Sequence, residues 1–148
     1  MQETELPENV MYLGADIVPE LIEGNNRQFG NDRRSFRKLN LLEDALPKAD
    51  LVFCRDCLVH LSFADINRAI VNLKQSGSTY LLTTHFAGPA RKNVDIFTGQ
   101  WRPLNLTRGP LFFPEPLSVL NEGSTEGNGQ YRDKSLALYR IAELPIRS

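Results

Sequence analysis

The chain has 148 residues, of which 41% are hydrophobic and 24% charged, and its formal net charge is −1. This length suits one domain with a real core, and we expect a polar lead over 1–10 and a single domain over 11–148. The small net charge excludes a global field that would draw the protein to nucleic acid or to a membrane surface. No apolar run reaches the roughly 18–20 residues of a membrane helix, and two cysteines in a chain with a polar start favour a cytoplasmic location.

The first part of the chain alternates predicted strands and helices. A short apolar stretch predicts a strand over 11–17, and Pro19 fits the first turn of a helix over 18–29. Alternating apolar residues predict a second strand over 35–41. The continuous apolar character of 50–54 predicts a third strand that is buried on both faces.

The second part adds one more helix and three more strands. Ser62 is a good N-cap for an amphipathic helix over 63–75, and an apolar run predicts a strand over 79–86. A long segment rich in proline and glycine follows. Two further strands, over 116–121 and 135–144, are separated by a glycine-bearing turn that indicates an antiparallel hairpin. The order of these elements favours an α/β fold whose crossovers make the early strands parallel.

Parallel units closed by an antiparallel hairpin are typical of class I S-adenosylmethionine-dependent methyltransferases, and the local sequence resembles this family as well. The stretch YLGADIVPELIE is similar to the family's second strand and following helix, and LNLLEDALPKADLVFCRDCLVHLS to its third strand, adenine loop and fourth strand. The similarity extends from about residue 11 to residue 144 and points to an uncharacterised bacterial branch. It implies a Rossmann-like, mostly parallel but incomplete methyltransferase sheet with a C-terminal antiparallel hairpin.

The resemblance implies S-adenosylmethionine as the cofactor and a set of residues that would hold it. Asp16 would accept hydrogen bonds from the ribose hydroxyls, since a carboxylate offers paired acceptors to a vicinal diol; a helix-capping role is the alternative. Asn40 stands where many members have aspartate and would accept from the adenine amino group. The residues implied in cofactor binding are Asp16, Ile17, Asn40, Leu41, Cys54 and Arg55.

The family's first strand and its glycine-bearing turn have no counterpart before residue 11, so we expect a truncated relative. Because half of the cofactor pocket would be absent, we expect weak or no binding of S-adenosylmethionine. The strands over 11–17 and 50–54 would each carry an unpaired edge, since the missing strand separates them in this fold. Such edges invite pairing with each other or with another chain, which predicts a homodimer.

Two residues after the fourth family strand, His60 and Asp56, are candidates for a general base near the methyl acceptor. Methyl transfer depends mostly on positioning, so a base is needed for some acceptors only. A backbone-bonded histidine at a helix start is the alternative. In the long loop, Trp101, Arg102 and Asn105 would shape the pocket of an acceptor that the sequence does not identify, or Trp101 would seal the core.

The spacing C-x-x-C-x-x-H over Cys54, Cys57 and His60 is compatible with a metal site or a thiol pair. A structural zinc site needs four ligands, and His85 is the remaining histidine, so we expect no metal. Three functions follow in order of preference: a methyltransferase with an unknown acceptor, a non-catalytic module completed by a partner, and a CxxC thiol or metal protein.

Overall fold

The structure is a computed structural model that describes residues 4–147. The chain divides into two compact units, Met1–Asp44 and Ala45–Ser148. The first holds strand β1, helix α1 and strand β2; the second holds strand β3, helix α2 and strands β4 to β6. In chain order these elements are β1 Tyr12–Asp16, α1 Pro19–Phe29, β2 Arg34–Lys38, β3 Leu51–Cys54, α2 Phe63–Gln75, β4 Tyr80–Phe86, β5 Ser118–Asn121 and β6 Lys134–Arg140. A single domain over 11–148 stays a prediction.

The first unit is a parallel strand–helix–strand arrangement. β1 and β2 pair in register from Tyr12 opposite Arg34 to Asp16 opposite Lys38. Gly14 is required here because a Cβ atom at that position would clash with the Phe36 ring. The Asn26 side chain joins α1 to β2, donating to the Phe36 carbonyl at 2.8 Å and accepting from the Phe36 amide at 2.9 Å.

The second unit is built on a four-stranded sheet in the order β3-β4-β6-β5. β3 and β4 are parallel, whereas β6 lies antiparallel between β4 and β5. The predicted parallel crossover and the predicted C-terminal hairpin are therefore both confirmed. Within residues 4–147, β1 belongs to the two-stranded sheet and β3 to the four-stranded sheet, and the pairing of their open edges stays a prediction.

Helix α2 packs on this sheet through the apolar stripe that its sequence predicts. Ile66, Ala69, Ile70 and Leu73 are all buried. Ser62 caps the helix by accepting from the Asp65 amide at 3.1 Å, and Gly77 follows the last turn with a φ of +70°. The predicted helix over 63–75 agrees with α2 residue for residue.

The strand predictions were less accurate, both for the end of β2 and for the burial of β3. β2 ends at Lys38 because the Asn40 side chain starts a turn by accepting from the Leu42 amide at 3.0 Å. The prediction that the third strand is buried on both faces is wrong, since Leu51 is 49% and Phe53 is 39% exposed. No helix within residues 4–147 is long and apolar enough to cross a membrane.

Candidate functional site

Asp16 lies at the carboxyl end of β1, at the start of the turn into α1. Its side chain is exposed, and its Oδ1 accepts from the Val18 amide at 2.9 Å. The alternative role that the sequence offered was capping of the following helix, whereas this bond goes to the amide of Val18, the N-cap residue that precedes α1. This single bond leaves other acceptor sites open on the carboxylate, which has about four lone-pair sites. Ile17, directly after it, is 61% exposed.

Asn40 follows β2, which is the strand paired with β1. Its Oδ1 accepts from the Leu42 amide at 3.0 Å, and its Nδ2 donates to Glu43 at 3.2 Å. The Asp44 carboxylate accepts from the Asn40 backbone amide at 2.7 Å. The atoms that would face an adenine amino group thus already hold a turn together, while Leu41 is half-buried.

Cys54 ends β3 in the second unit and is buried. The Thr83 hydroxyl of β4 donates to its backbone carbonyl at 2.8 Å. A hydrogen bond with Cys57, together with burial, raises the pKa of the Cys54 thiol well above its ordinary value. A thiol with a raised pKa is a poor nucleophile at neutral pH because the thiolate is the reactive species.

Arg55 and Asp56 continue from β3 as a charged pair. Arg55 donates through Nε to Glu122 at 2.8 Å, and this hydrogen bond raises the pKa of Arg55. Asp56 has a positive φ of 51° and donates its amide to the Thr84 hydroxyl at 2.7 Å. Its carboxylate lies 3.0 Å from the Lys134 ammonium. A carboxylate held in this ion pair is poorly placed to act as a base.

His60 closes a 3₁₀ turn, Leu58–His60, between β3 and α2. Its Nδ1 lies 2.9 Å from the Gln100 carbonyl, and the side chain is exposed. A carbonyl oxygen only accepts, so Nδ1 must carry the hydrogen in this bond. In the neutral ring the lone pair is then on Nε2, the atom that a general base would use.

Residues 94–102 lie against this turn. The Gly99 amide donates to the His60 carbonyl at 2.8 Å, and the Thr98 hydroxyl accepts from the Ser62 amide at 2.9 Å. Asp95 accepts from the Phe63 amide at 2.8 Å. The last two contacts supply partners to the amides of the N-cap Ser62 and of Phe63, the first residue of α2, which the helix cannot satisfy within itself.

Arg102 is buried in this contact. Its guanidinium donates to the carbonyls of Leu58, Val59, Leu61 and Val94. Burial lowers the pKa of Arg102 to about 10. The sequence named Arg102 among the residues that would shape an acceptor pocket, and that role stays a prediction.

Trp101 and Asn105 lie in the same loop but differ in the exposure of their side chains. Trp101 is 42% exposed and packs edge-on against Tyr131 and Phe86, with ring centroids 5.2 and 6.1 Å away. Asn105 is buried, and its side-chain oxygen accepts from the Thr107 hydroxyl at 2.8 Å. Trp101 therefore keeps a surface that a ligand can contact, whereas the Asn105 side chain shapes the loop.

Several residues that hydrogen-bond to the β3 exit, residues 54–62, could not be identified from the sequence. They contact it from other strands or from the loop, so no local spacing marks them. Within residues 4–147, no three His, Cys, Asp or Glu side chains are grouped as a metal site requires. The missed residues are Thr83, Thr84, Thr98, Gln100 and Lys134.

Two clefts in the described part of the chain are lined by none of the predicted site residues. One measures about 470 Å³ and lies beside α2 in the second unit. The other measures about 380 Å³, lies in the first unit and is polar, with Asn31, Arg33 and Arg34 in its wall. The first is lined by Phe63, Ala64, Ile66, Asn67, Arg68, Ile70, Pro110, Leu111, Phe113, Pro145 and Arg147.

Two solved methyltransferase structures have a fold similar to that of this chain. Human N-acetylserotonin methyltransferase, solved in complex with SAM, matches 88% of this chain with a TM-score of 0.63 and 13% sequence identity. An S-adenosylmethionine-dependent methyltransferase from Mesorhizobium loti matches 88% of this chain with a TM-score of 0.54 and 16% identity. The chain spans 40% of the human protein and 80% of the Mesorhizobium protein. No protein-family model and no curated protein matches it.

Proposed function

The chain has the class I methyltransferase fold, and we propose that it binds S-adenosylmethionine weakly and serves in transfer of the methyl group to an acceptor. The observation that carries the proposal is Asp16, an exposed carboxylate at the end of β1 in this fold. The end of a strand in an α/β sheet is where such folds place ligands.

The first unit offers a partial fit to the nucleoside part of this cofactor. Asp16 uses one oxygen for the Val18 amide and retains acceptor sites for a vicinal diol. Leu41 lies in the turn after β2 and would supply apolar contact to the adenine ring. Asn40 fits less well, because its amide already bonds to Leu42 and Glu43.

When bound, S-adenosylmethionine supplies a methyl group on a sulfonium, and the task of the chain is to orient the acceptor and remove its proton where it has one. His60 is the candidate base. The Gln100 carbonyl holds its Nδ1 hydrogen, which leaves the Nε2 lone pair available. Trp101, exposed one residue after Gln100, would contribute an aromatic surface to the acceptor.

Calorimetric titration with S-adenosylhomocysteine tests the binding part of the proposal. Asp16→Asn keeps an oxygen for the Val18 amide but removes the charge, so we expect affinity to fall roughly 10- to 100-fold for a lost charge-assisted pair. Glu20→Gln is the matched control, since Glu20 is an exposed acid in the first turn of α1. Absence of binding to the native chain at millimolar ligand would contradict the proposal, as would an equal loss in both variants.

A second candidate function is a module that another polypeptide, or a second copy, completes. The observation in its favour is β3, which has β4 as its neighbour on one side only within residues 4–147 and exposes Leu51 and Phe53. Light scattering after size exclusion distinguishes the cases. A homodimer that Phe53→Ser converts to a monomer supports self-pairing, and a native monomer would rule self-pairing out.

A further inference from the structure

We infer that Arg102 is a positioning residue that fixes the tautomer of His60, an inference that rests on the proposed role of His60 as a base. The two side chains are linked through backbone and not through direct contact. Arg102 holds the turn on which His60 lies, and the loop that contains Arg102 also supplies the acceptor for the His60 ring.

The guanidinium binds the turn at three carbonyls. Nη1 donates to Leu58 at 3.1 Å and to Val59 at 2.8 Å, and Nη2 donates to Leu61 at 2.6 Å. These carbonyls flank His60 on both sides. The Leu58 carbonyl also accepts from the Leu61 amide at 3.1 Å. Because a carbonyl oxygen has two lone pairs, a planar cation with several donors can bind all three carbonyls together.

Burial of the Arg102 guanidinium costs free energy because it removes water from a charged group, and the hydrogen bonds to the carbonyls offset that cost. The residue is 3% exposed, and no carboxylate forms an ion pair with its guanidinium among the contacts found for it within residues 4–147. Burial of an unpaired cation is tolerated only where hydrogen bonds replace water. Lysine, with its compact ammonium group, cannot reach three carbonyls with the same fork.

The same segment positions the histidine ring. Nε of Arg102 donates to the Val94 carbonyl at 3.2 Å and its backbone amide to the Val59 carbonyl at 3.2 Å. Gln100, two residues before Arg102, accepts from His60 Nδ1 at 2.9 Å. If the turn separates from the loop, this bond is lost, and His60 returns to the tautomers that a free imidazole adopts in water.

His85 provides an internal reference within the same molecule. It is the other of the two histidines in the chain, and its Nδ1 accepts from the Leu106 amide at 3.2 Å. An acceptor nitrogen carries no hydrogen, so neutral His85 has its hydrogen on Nε2. The structure therefore holds the two histidines in opposite tautomers.

Long-range ¹H–¹⁵N correlation of the imidazole rings at about pH 8 tests the inference without any ligand. We expect the native chain to show His60 with hydrogen on Nδ1 and His85 with hydrogen on Nε2. In Arg102→Gln, His60 should lose the Nδ1–H tautomer while His85 keeps its own, and Arg102→Lys should give an intermediate population. Arg68→Gln, which removes an exposed arginine from α2, should leave both rings unchanged.

Three results would overturn the inference. One is a native His60 with hydrogen on Nε2, and another is an Arg102→Gln chain in which both rings keep their native tautomers. The third is loss of the His85 signature together with that of His60 in both Arg102 variants, because Arg102 would then support the whole unit and not this turn. A failure of S-adenosylhomocysteine to bind affects none of these readouts, so the two proposals can fail separately.

Discussion

The ends of β1 and β3 occupy equivalent places in their strand–helix units, but they use their polar groups in different ways. At the β1 end, Asp16 makes one bond to the Val18 amide and is otherwise exposed. At the β3 end, the Thr83 hydroxyl donates to the Cys54 carbonyl. The Asp56 amide donates to the Thr84 hydroxyl, and the Asp56 carboxylate forms an ion pair with Lys134.

This difference separates a candidate binding position from a structural one. A polar group that is satisfied within the protein must lose a bond before it can meet a ligand, whereas an exposed carboxylate exchanges only water. The β1 end is therefore suited to a ligand. The β3 end is suited to holding one side chain, His60, in a defined orientation, and four predictions test this contrast.

The largest expected effect is on the β3 side. Arg102→Met should lower the free energy of unfolding of the second unit by about 3 kcal/mol, because it removes the hydrogen bonds of a buried guanidinium to four backbone carbonyls. Fluorescence of Trp101, the single tryptophan, should report this in urea. Arg68→Met, which removes an exposed ion pair with Asp65, should cost at most about 0.5 kcal/mol. Equal losses in the two variants would contradict the structural role of Arg102.

A smaller loss is expected from Thr84→Val. This substitution conserves shape but removes the hydroxyl that accepts from the Asp56 amide at 2.7 Å. The partly buried amide would then be unpaired, at a cost of about 1–2 kcal/mol in the free energy of unfolding. Thr79→Val, at an exposed position, is the control and should be neutral. A neutral Thr84→Val would show that the β3 end is not held as described.

Acid should weaken the second unit through His85. Burial lowers the pKa of His85 below its ordinary value of 6.5, so the unfolded chain binds more protons than the folded one between those two pKa values. The free energy of unfolding should fall as pH drops from about 6.5 through the folded pKa of His85, and the decline from this group should then stop. Asp133, whose pKa is lowered by its hydrogen bond with Arg91, contributes only near and below 3.8. The decline should shrink in His85→Gln; an unchanged decline in that variant would refute the assignment.

The smallest effect on stability is expected at the β1 end. Asp16→Asn should change the free energy of unfolding by less than about 0.5 kcal/mol, since asparagine also accepts from the Val18 amide. Asp16→Ala removes that acceptor and should cost about 1 kcal/mol. Thermal unfolding followed by circular dichroism compares the two variants. A loss of 2 kcal/mol or more in Asp16→Asn would make Asp16 a structural residue and would remove the contrast with the β3 end.

Local signals in the sequence were enough to predict the bounds of α2 and to distinguish helix from strand for most other elements. Ser62 and the apolar stripe through Ile66 and Leu73 act within one helix, so spacing alone locates them. Burial of β3 was predicted wrongly because it depends on what covers the strand, and composition does not report that. The sequence also left ribose binding and helix capping open for Asp16, and the bond observed in the structure goes to the Val18 amide, just before α1.

Arg102 could not have been assigned from the sequence. Its partners are backbone carbonyls 41 to 44 positions earlier in the chain, and backbone atoms have no sequence signature. Asp16 is the opposite case. It could be identified from the sequence because it ends a predicted strand within a segment that resembles a known family, and no distant residue is needed to locate it. The fold and one candidate ligand contact were thus predictable, whereas the internal support of the β3 exit was not.

The most direct test is a ¹H–¹⁵N spectrum of the labelled chain titrated with S-adenosylhomocysteine. We predict saturable shifts of the amides of Asp16, Ile17 and Val18 and of Leu41 and Leu42, with the shifts at 16–18 reduced in Asp16→Asn. Absence of any shift at these amides at millimolar ligand, or shifts confined to other parts of the chain, would contradict the assignment of the β1 end as the ligand-binding position.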